Sequence, residues 1–254
     1  MGIATFGELW AGYVGLLHQH ESHEHMATQI AVGLQGGVSV QSLSRLVCGD
    51  GVMVGPRVDH IARSGAGERV AFLYVAPHAS LARALSDRLG GQGIAPMDSR
   101  LVSCFREHEC IQDMVAALCA ELGTSADRAS LDRRLMRALD VLAEDAGDLG
   151  AIERAGAASG LSEARLRALA KSEMGIPLSQ WMLWRKLDRG MRSIAAGQGM
   201  AVAASHAGFA DQAHFARTMK RMFGITLTEA TPSLQRSSDS FKTPALPRLI
   251  MSGR

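Results

Sequence analysis

Between residues 29 and 40 apolar and polar positions alternate: Ile30, Val32 and Leu34, then Val38 and Val40 beyond Gly36 and Gly37. A period of two sends every second side chain to one face, so the pattern predicts two short strands around a glycine turn. Residues 70–75 form a nearly continuous apolar run, and Val52, Met53 and Val54 lead into Pro56, a strand that ends in a turn. The first 76 residues are therefore expected to fold as a small β structure.

From Ser80 onward the period changes. Leu81, Leu85 and Leu89 stand at i, i+4 and i+8 before the break at Gly90 and Gly91, which predicts a helix. A second helix is expected over residues 109–122 from Ile111, Val115, Leu118 and Leu122, closed by Gly123. Such a helix between two domains forms a dimer seam or packs on the β unit. After Asp132 the pattern is helical as far as Thr231, with a long helix opening at Pro177 whose inner side carries Leu178, Trp181, Met182, Leu187, Met191 and Ile194.

This helical region repeats a single unit. Gly156 and Gly160 precede Leu161 as Ala204 and Gly208 precede Phe209, an offset of 48 residues. The segments beginning at Lys171 and Lys220 then end alike, in Met174-Gly175-Ile176 and Phe223-Gly224-Ile225, an offset of 49. A small residue followed four positions later by glycine is what two helices meeting at a tight angle require: the first lets the backbones touch, and the glycine adopts the left-handed turn. Each following helix has an apolar inner face, Leu166 and Leu169 in the first and Phe215, Met219 and Phe223 in the second. Its outer face carries Glu163, Arg165, Arg167 and Lys171, or Gln212, His214, Arg217, Lys220 and Arg221. The pattern predicts two helix-turn-helix units. The rod between them, at 1.5 Å per residue, would span roughly 28 Å, close to the repeat of the major groove on one face of a duplex.

Charge sharpens the division. Residues 1–132 hold 9 Lys+Arg against 14 Asp+Glu, residues 133–232 hold 14 against 10, and residues 233–254 hold 4 against 1. The balances are −5, +4 and +3, which sum to the formal net charge of +2. A basic C-terminal half beside an acidic N-terminal half suits a polyanion-binding module attached to a sensor, because phosphate neutralisation supplies most non-specific DNA affinity. The 47% hydrophobic and 20% charged composition is that of a globular chain. The early apolar run, residues 11–17, is too short for a signal-peptide core, and three Gln, three Ser and three Gly interrupt the uncharged residues 26–44. A cytoplasmic protein with no membrane partner is expected. Cys48, Cys104, Cys110 and Cys119 form no CxxC pair and are expected to be free thiols.

The run from Ala204 to Thr226, with Gly208-Phe209, Gln212-Ala213-His214-Phe215 and Gly224-Ile225-Thr226, resembles the signature of the AraC/XylS family of transcription regulators, and the resemblance extends from about residue 133 to 232. The chain departs from the family's usual pattern in carrying Leu227 where proline is common and Ala164 where a bulky residue is common. By position, the resemblance implies that Ala164, Arg165 and Arg167 of the first unit face bases, with Gln212, Ala213, His214 and Arg217 of the second, while Lys171, Lys220 and Arg221 lie beside phosphates. Double-stranded DNA, RNA polymerase and a second copy of the chain are its implied partners.

In the N-terminal half, His18, His20, His23 and His25 fall within eight residues. His23, His25 and Gln29, with His60 after a Gly- and Pro-containing turn, resemble the two short motifs of the cupin barrel, the usual sensor attached to this kind of DNA-binding domain. That resemblance implies a small-molecule effector site at His23, His25, Gln29 and His60 with no cofactor. The alternative is a divalent metal held by His23, His25 and His60, since imidazoles two apart on a strand project to one side. A further alternative uses Cys104, Cys110 and the intervening His108 for thiol chemistry or a soft metal. No Ser-His-Asp set, carboxylate pair or P-loop is identifiable by spacing, so an enzyme is not expected; a metal-dependent cupin enzyme with a helical appendage, or an adaptor without DNA binding, are the competing readings. The expected fold is α+β: a small cupin-like β-barrel over residues 1–98, a helical linker and possible dimerisation segment over 99–130, an all-α double helix-turn-helix domain over 131–234 and a basic tail over 235–254.

Overall fold

The computed structural model describes residues 3–7, 9–17, 22–127, 130–145 and 150–223. The expected basic tail and the end of the second repeat, from Gly224, lie outside the described residues, as do His18 and His20.

The β unit comes first, as its period implies. Strands β1 (Ile3–Phe6), β2 (Trp10–Leu16), β3 (Thr28–Gly33), β4 (Val38–Ser42), β5 (Leu46–Gly49), β6 (Gly51–Val54), β7 (His60–Ser64) and β8 (Arg69–Val75) precede helix α1 (Ser80–Leu89), and β9 (Ile94–Pro96) follows it. They form two sheets, one ordered β1-β2-β8-β3-β6-β9 and one ordered β5-β4-β7, and the paired ladders do not close into a single barrel. The turn at Gly36 and Gly37 carries the chain from the larger sheet to the smaller, so β3 and β4 are not hairpin partners. In the larger sheet β8 is paired on both sides, by β2 and β3. Six of its seven residues are buried, which is why it reads as an apolar run instead of an alternation.

Helices α2 (Ser99–Arg106) and α3 (Ile111–Leu122) follow. Asp98 caps α2 by accepting from the Leu101 N–H, and the Cys110 thiol caps α3. Helix α3 turns Ile111, Met114, Val115 and Leu118 inward. A Cβ added to Gly12 of β2 would stand 2.5 Å from Ile111, so strand and helix approach as closely as glycine permits. The apolar side of α3 thus packs on the β unit.

The remaining helices are α4 (Arg133–Asp145), α5 (Ala151–Ser159), α6 (Glu163–Met174), α7 (Leu178–Ala195), α8 (Met200–His206) and α9 (Gln212–Phe223). Leu135, Ala138, Leu139 and Leu142 of α4 form one stripe and pack with Leu166, Ala170 and Met174 of α6 and Trp181 of α7. Helices α8 and α9 pack on the other end of α7, where Gly190 lies so close to the Phe215 ring that a Cβ would be 2.7 Å from it. The two halves share apolar cores. Trp184, Leu187, Met191, Phe215 and Phe223 are continuous with the β core, and Met26 of the β unit joins the α4–α6 cluster.

Candidate nucleic-acid interface and sensor site

The first turn is built by a left-handed glycine. Gly160, at φ 69°, ends α5; its N–H donates to the Ala157 carbonyl at 3.2 Å, and the Leu161 N–H donates to the Gly156 carbonyl at 2.9 Å. The second turn repeats this pattern: Gly208 sits at φ 75°, its N–H reaches the Ser205 carbonyl at 3.0 Å, and the Phe209 N–H reaches the Ala204 carbonyl at 2.9 Å. Helix α6 then begins with Ser162 accepting from the Arg165 N–H at 3.3 Å, and α9 with Asp211 accepting from the His214 N–H at 2.6 Å. The caps are 49 residues apart and the glycines 48, so Ala210 is the one residue added in the second turn.

That register aligns the two outer helices residue by residue. Leu166, Ala170 and Met174 of α6 correspond to Phe215, Met219 and Phe223 of α9, and all six are buried. Ala164, Arg165, Arg167 and Lys171 are exposed on α6, and Gln212, Ala213, His214, Arg217, Lys220 and Arg221 on α9. Arg165 corresponds to His214, whereas Arg217 corresponds to Ala168, so the two helices present different side chains on the same face. On α6, Arg167 also pairs with Glu163 at 3.3 Å, with both side chains about half exposed. Such a pair contributes a few tenths of a kcal/mol, roughly, and is open to exchange for another anion. Lys186 of α7 donates to the Gly208 carbonyl at 2.9 Å, tying the second turn to the rod.

The polar residues expected in the sensor converge. His23, His25, Gln29 and His60 are buried where the two sheets meet, with His23 and His60 joined by paired backbone hydrogen bonds of 3.0 Å. Their imidazole centroids lie 4.5 Å (His23 to His60), 5.1 Å (His25 to His60) and 5.6 Å (His23 to His25) apart. Nδ1 of His25 is 3.0 Å from the Ala27 carbonyl, and Nδ1 of His60 is 2.8 Å from that of Val58. Both Nε2 atoms lie 2.7 Å from Gln29 Oε1. Burial pushes the His25 pKa down to about 4, so its imidazole is neutral near pH 7. Two cavities, of about 520 and 300 Å³, open on the smaller sheet, and neither is lined by these four residues.

The cysteines stand apart from this cluster. Cys48, Cys104, Cys110 and Cys119 are all free. The Cys104 thiol donates to the Arg100 carbonyl at 3.4 Å and the Cys110 thiol to Asp113 at 3.0 Å, while His108 bonds the Cys104 carbonyl instead of a thiol. Burial pushes both thiols above their ordinary range, opposite to what a reactive cysteine needs.

Residues 155–231 match the family described as a helix-turn-helix domain. This segment of the chain is a helix-turn-helix domain. Over 90% of its length the chain also has the fold of ToxT from Vibrio cholerae. One structure, an apo variant, is 12% identical with a TM-score of 0.56 and 98% of its own length covered. Another, from strain O395, is 11% identical with a TM-score of 0.53 and 99% covered. A third, bound to an unsaturated fatty acid, is 10% identical with a TM-score of 0.53, covering 88% of this chain and 95% of that one. Among curated proteins none matches the chain.

The helix-turn-helix domain touches the β unit through residues that sequence pattern did not single out for function. Tyr74 of β8, the cross-strand neighbour of Gln29, sets its ring edge-on to His25 at 5.3 Å and to Phe223 at 5.0 Å. Its hydroxyl donates to the Phe223 carbonyl at 2.8 Å. Burial raises the Tyr74 pKa far above its ordinary value, so the phenol keeps its proton as a donor. Nearby, Trp181 donates from Nε1 to Nε2 of His78 at 3.2 Å, and Arg192 donates to the Gly7 carbonyl at 2.9 Å. In sequence Tyr74 is one apolar position of a buried strand; only the pairing of β3 with β8 brings it to the histidines.

Proposed function

We propose that the chain is a sequence-specific, DNA-binding transcription regulator that responds to a small-molecule effector. The observation that carries the reading is the duplicated capped turn, with Ala164, Arg165 and Arg167 of α6 and Gln212, Ala213, His214 and Arg217 of α9 on exposed outer faces, and Lys171, Lys220 and Arg221 beside them for phosphate. Side chains of this kind read base edges in the major groove. The effector acts at His23, His25, Gln29 and His60, a buried polar set gathered inside an otherwise apolar core. ToxT, whose fold the chain shares, has been seen with an unsaturated fatty acid bound, which supports a ligand-responsive N-terminal half. In this reading the protein works in the cytoplasm as a homodimer alongside RNA polymerase and catalyses no reaction. Among the described residues no helix is long and apolar enough to cross a membrane.

Duplex binding by the full chain should weaken steeply with salt, with a logarithmic slope set by the number of phosphates contacted. Binding that is unchanged between low and high salt would remove phosphate contact, and the assignment with it.

A further inference from the structure

An arginine stands where the backbone favours glycine. The turn that leaves β6 runs through Pro56 and Arg57, and Arg57 holds φ 60°, while every other positive φ among the described residues belongs to a glycine. The left-handed conformation strains any residue with a Cβ, and glycine adopts it freely. The Arg57 N–H donates to the His25 carbonyl at 2.8 Å, which fixes the turn there. The side chain takes no part in holding it. Among the described residues the Arg57 guanidinium makes no hydrogen bond or ion pair, not even with Asp59 two positions on. A side chain kept at a strained position without a partner inside the fold points to a partner outside it.

Arg57 lines the smaller of the two cavities, about 300 Å³, where the β4–β5 turn, the β6–β7 turn and the start of β9 meet. Arg45 lines it too. Nη1 of Arg45 donates to the Ile94 carbonyl at 3.2 Å and to the Gln92 side chain, both neutral, and its Nε and Nη2 donors are unused among the described residues. Asp59 is the third charged group on the wall; it accepts from the Ser22 hydroxyl through Oδ1, and its Oδ2 has no partner among the described residues. Leu43, which is 98% exposed, adds apolar surface together with Val58 and Ile94. The volume falls at the lower end of small-molecule sites. A phosphate monoester carries close to two negative charges and three acceptor oxygens, enough for both arginines, whereas a single guanidinium already pairs both oxygens of a carboxylate. Asp59 repels a bare anion but accepts from a hydroxyl, so the wall fits a phosphate joined to a hydroxyl-bearing carbon skeleton.

We propose that the cavity between the β4–β5 and β6–β7 turns binds a small polyol or sugar phosphate, with Arg45 and Arg57 on the phosphate and Asp59 on a hydroxyl. The site is separate from His23, His25, Gln29 and His60. Its test needs no duplex, so it stands or falls apart from the regulator reading.

The test is titration calorimetry of the full chain with glycerol 3-phosphate and glucose 6-phosphate, against glycerol, glucose, inorganic phosphate and succinate. One ester molecule per chain is expected to bind, at least tenfold more tightly than any of the four controls. Arg45→Gln and Arg57→Gln should each weaken the ester at least tenfold, and Asp59→Asn should cut its preference over inorganic phosphate to below threefold. Arg57→Gly should lose the ester while the thermal midpoint of the ligand-free chain stays at or above that of wild type, because glycine relieves the left-handed turn. That variant separates loss of ligand from loss of fold. Neither ester binding saturably at millimolar concentration, or binding unchanged in both glutamine variants, overturns the site. Inorganic phosphate bound as tightly as the esters shows a plain anion site, and succinate bound more tightly than either ester shows a carboxylate site; both overturn the ligand class. A midpoint lowered in Arg57→Gly makes the arginine part of the fold and overturns its assignment to a ligand.

Discussion

At Gly156 the added side chain, not the backbone angle, is the constraint. A Cβ there would stand 2.6 Å from the Leu161 carbonyl oxygen, inside the turn that the Leu161 N–H closes onto the Gly156 carbonyl. Helix propensity favours alanine over glycine by about 1 kcal/mol, whereas forcing backbone out of a packed turn costs about 1–3 kcal/mol. Gly156→Ala is therefore expected to destabilise the chain in denaturant unfolding despite the better helix former, and an unchanged or raised midpoint would contradict the close approach. The corresponding position in the second unit already holds alanine, so Ala204→Gly should lose only about the propensity difference, roughly 1 kcal/mol.

At the scale of the element, α6 and α9 share a buried register and differ outside it. Arg217 occupies a face position held by Ala168 in α6, so its contribution is specific to the second unit. Arg217→Ala should relax base preference over one short stretch of the site, at a cost of about 1–3 kcal/mol, while Lys220→Ala should weaken specific and random duplex alike. Footprints and competition with random DNA distinguish the two; equal loss on both kinds of DNA for Arg217→Ala would place it at a phosphate. The AraC/XylS-like signature leads to the same face from sequence, and the offsets of 48 and 49 already imply one added residue; the caps at Ser162 and Asp211 place it at Ala210.

Over the whole molecule, the apolar contacts of the β unit continue into Trp184, Met191, Phe215 and Phe223, and Met26 enters the core of α4 and α6. Halves that share cores lose packing together. Heating should give a single calorimetric transition with matching calorimetric and van't Hoff enthalpies, and two well-separated transitions would show that the shared contacts contribute little. The same continuity gives the β unit a physical route to helices α6 and α9, because a rearrangement in one packed half cannot be absorbed in a gap between them. Different affinity for DNA in two such arrangements is what effector control requires.

Local information was enough for much of this. The period of two through Ile30 and Val32, the i, i+4 spacing of Leu81, Leu85 and Leu89, and the twin left-handed glycines at 160 and 208 follow from backbone geometry within a few residues, so the sequence alone determined the β-then-α order and the doubled helix-turn-helix. Its resemblance to the two cupin motifs also named His23, His25, Gln29 and His60, whose spacing is legible along the chain. Strand partnership is set by contacts distant along the chain, and only the tertiary structure decided that β3 and β4 belong to different sheets and that α3 is covered by β2. It likewise decided that Tyr74, hidden in an apolar run, stands between the histidines and Phe223, 149 residues further along the chain. A buried strand reads the same whether its side chains fill a core or join two domains, since burial selects apolar residues in both cases.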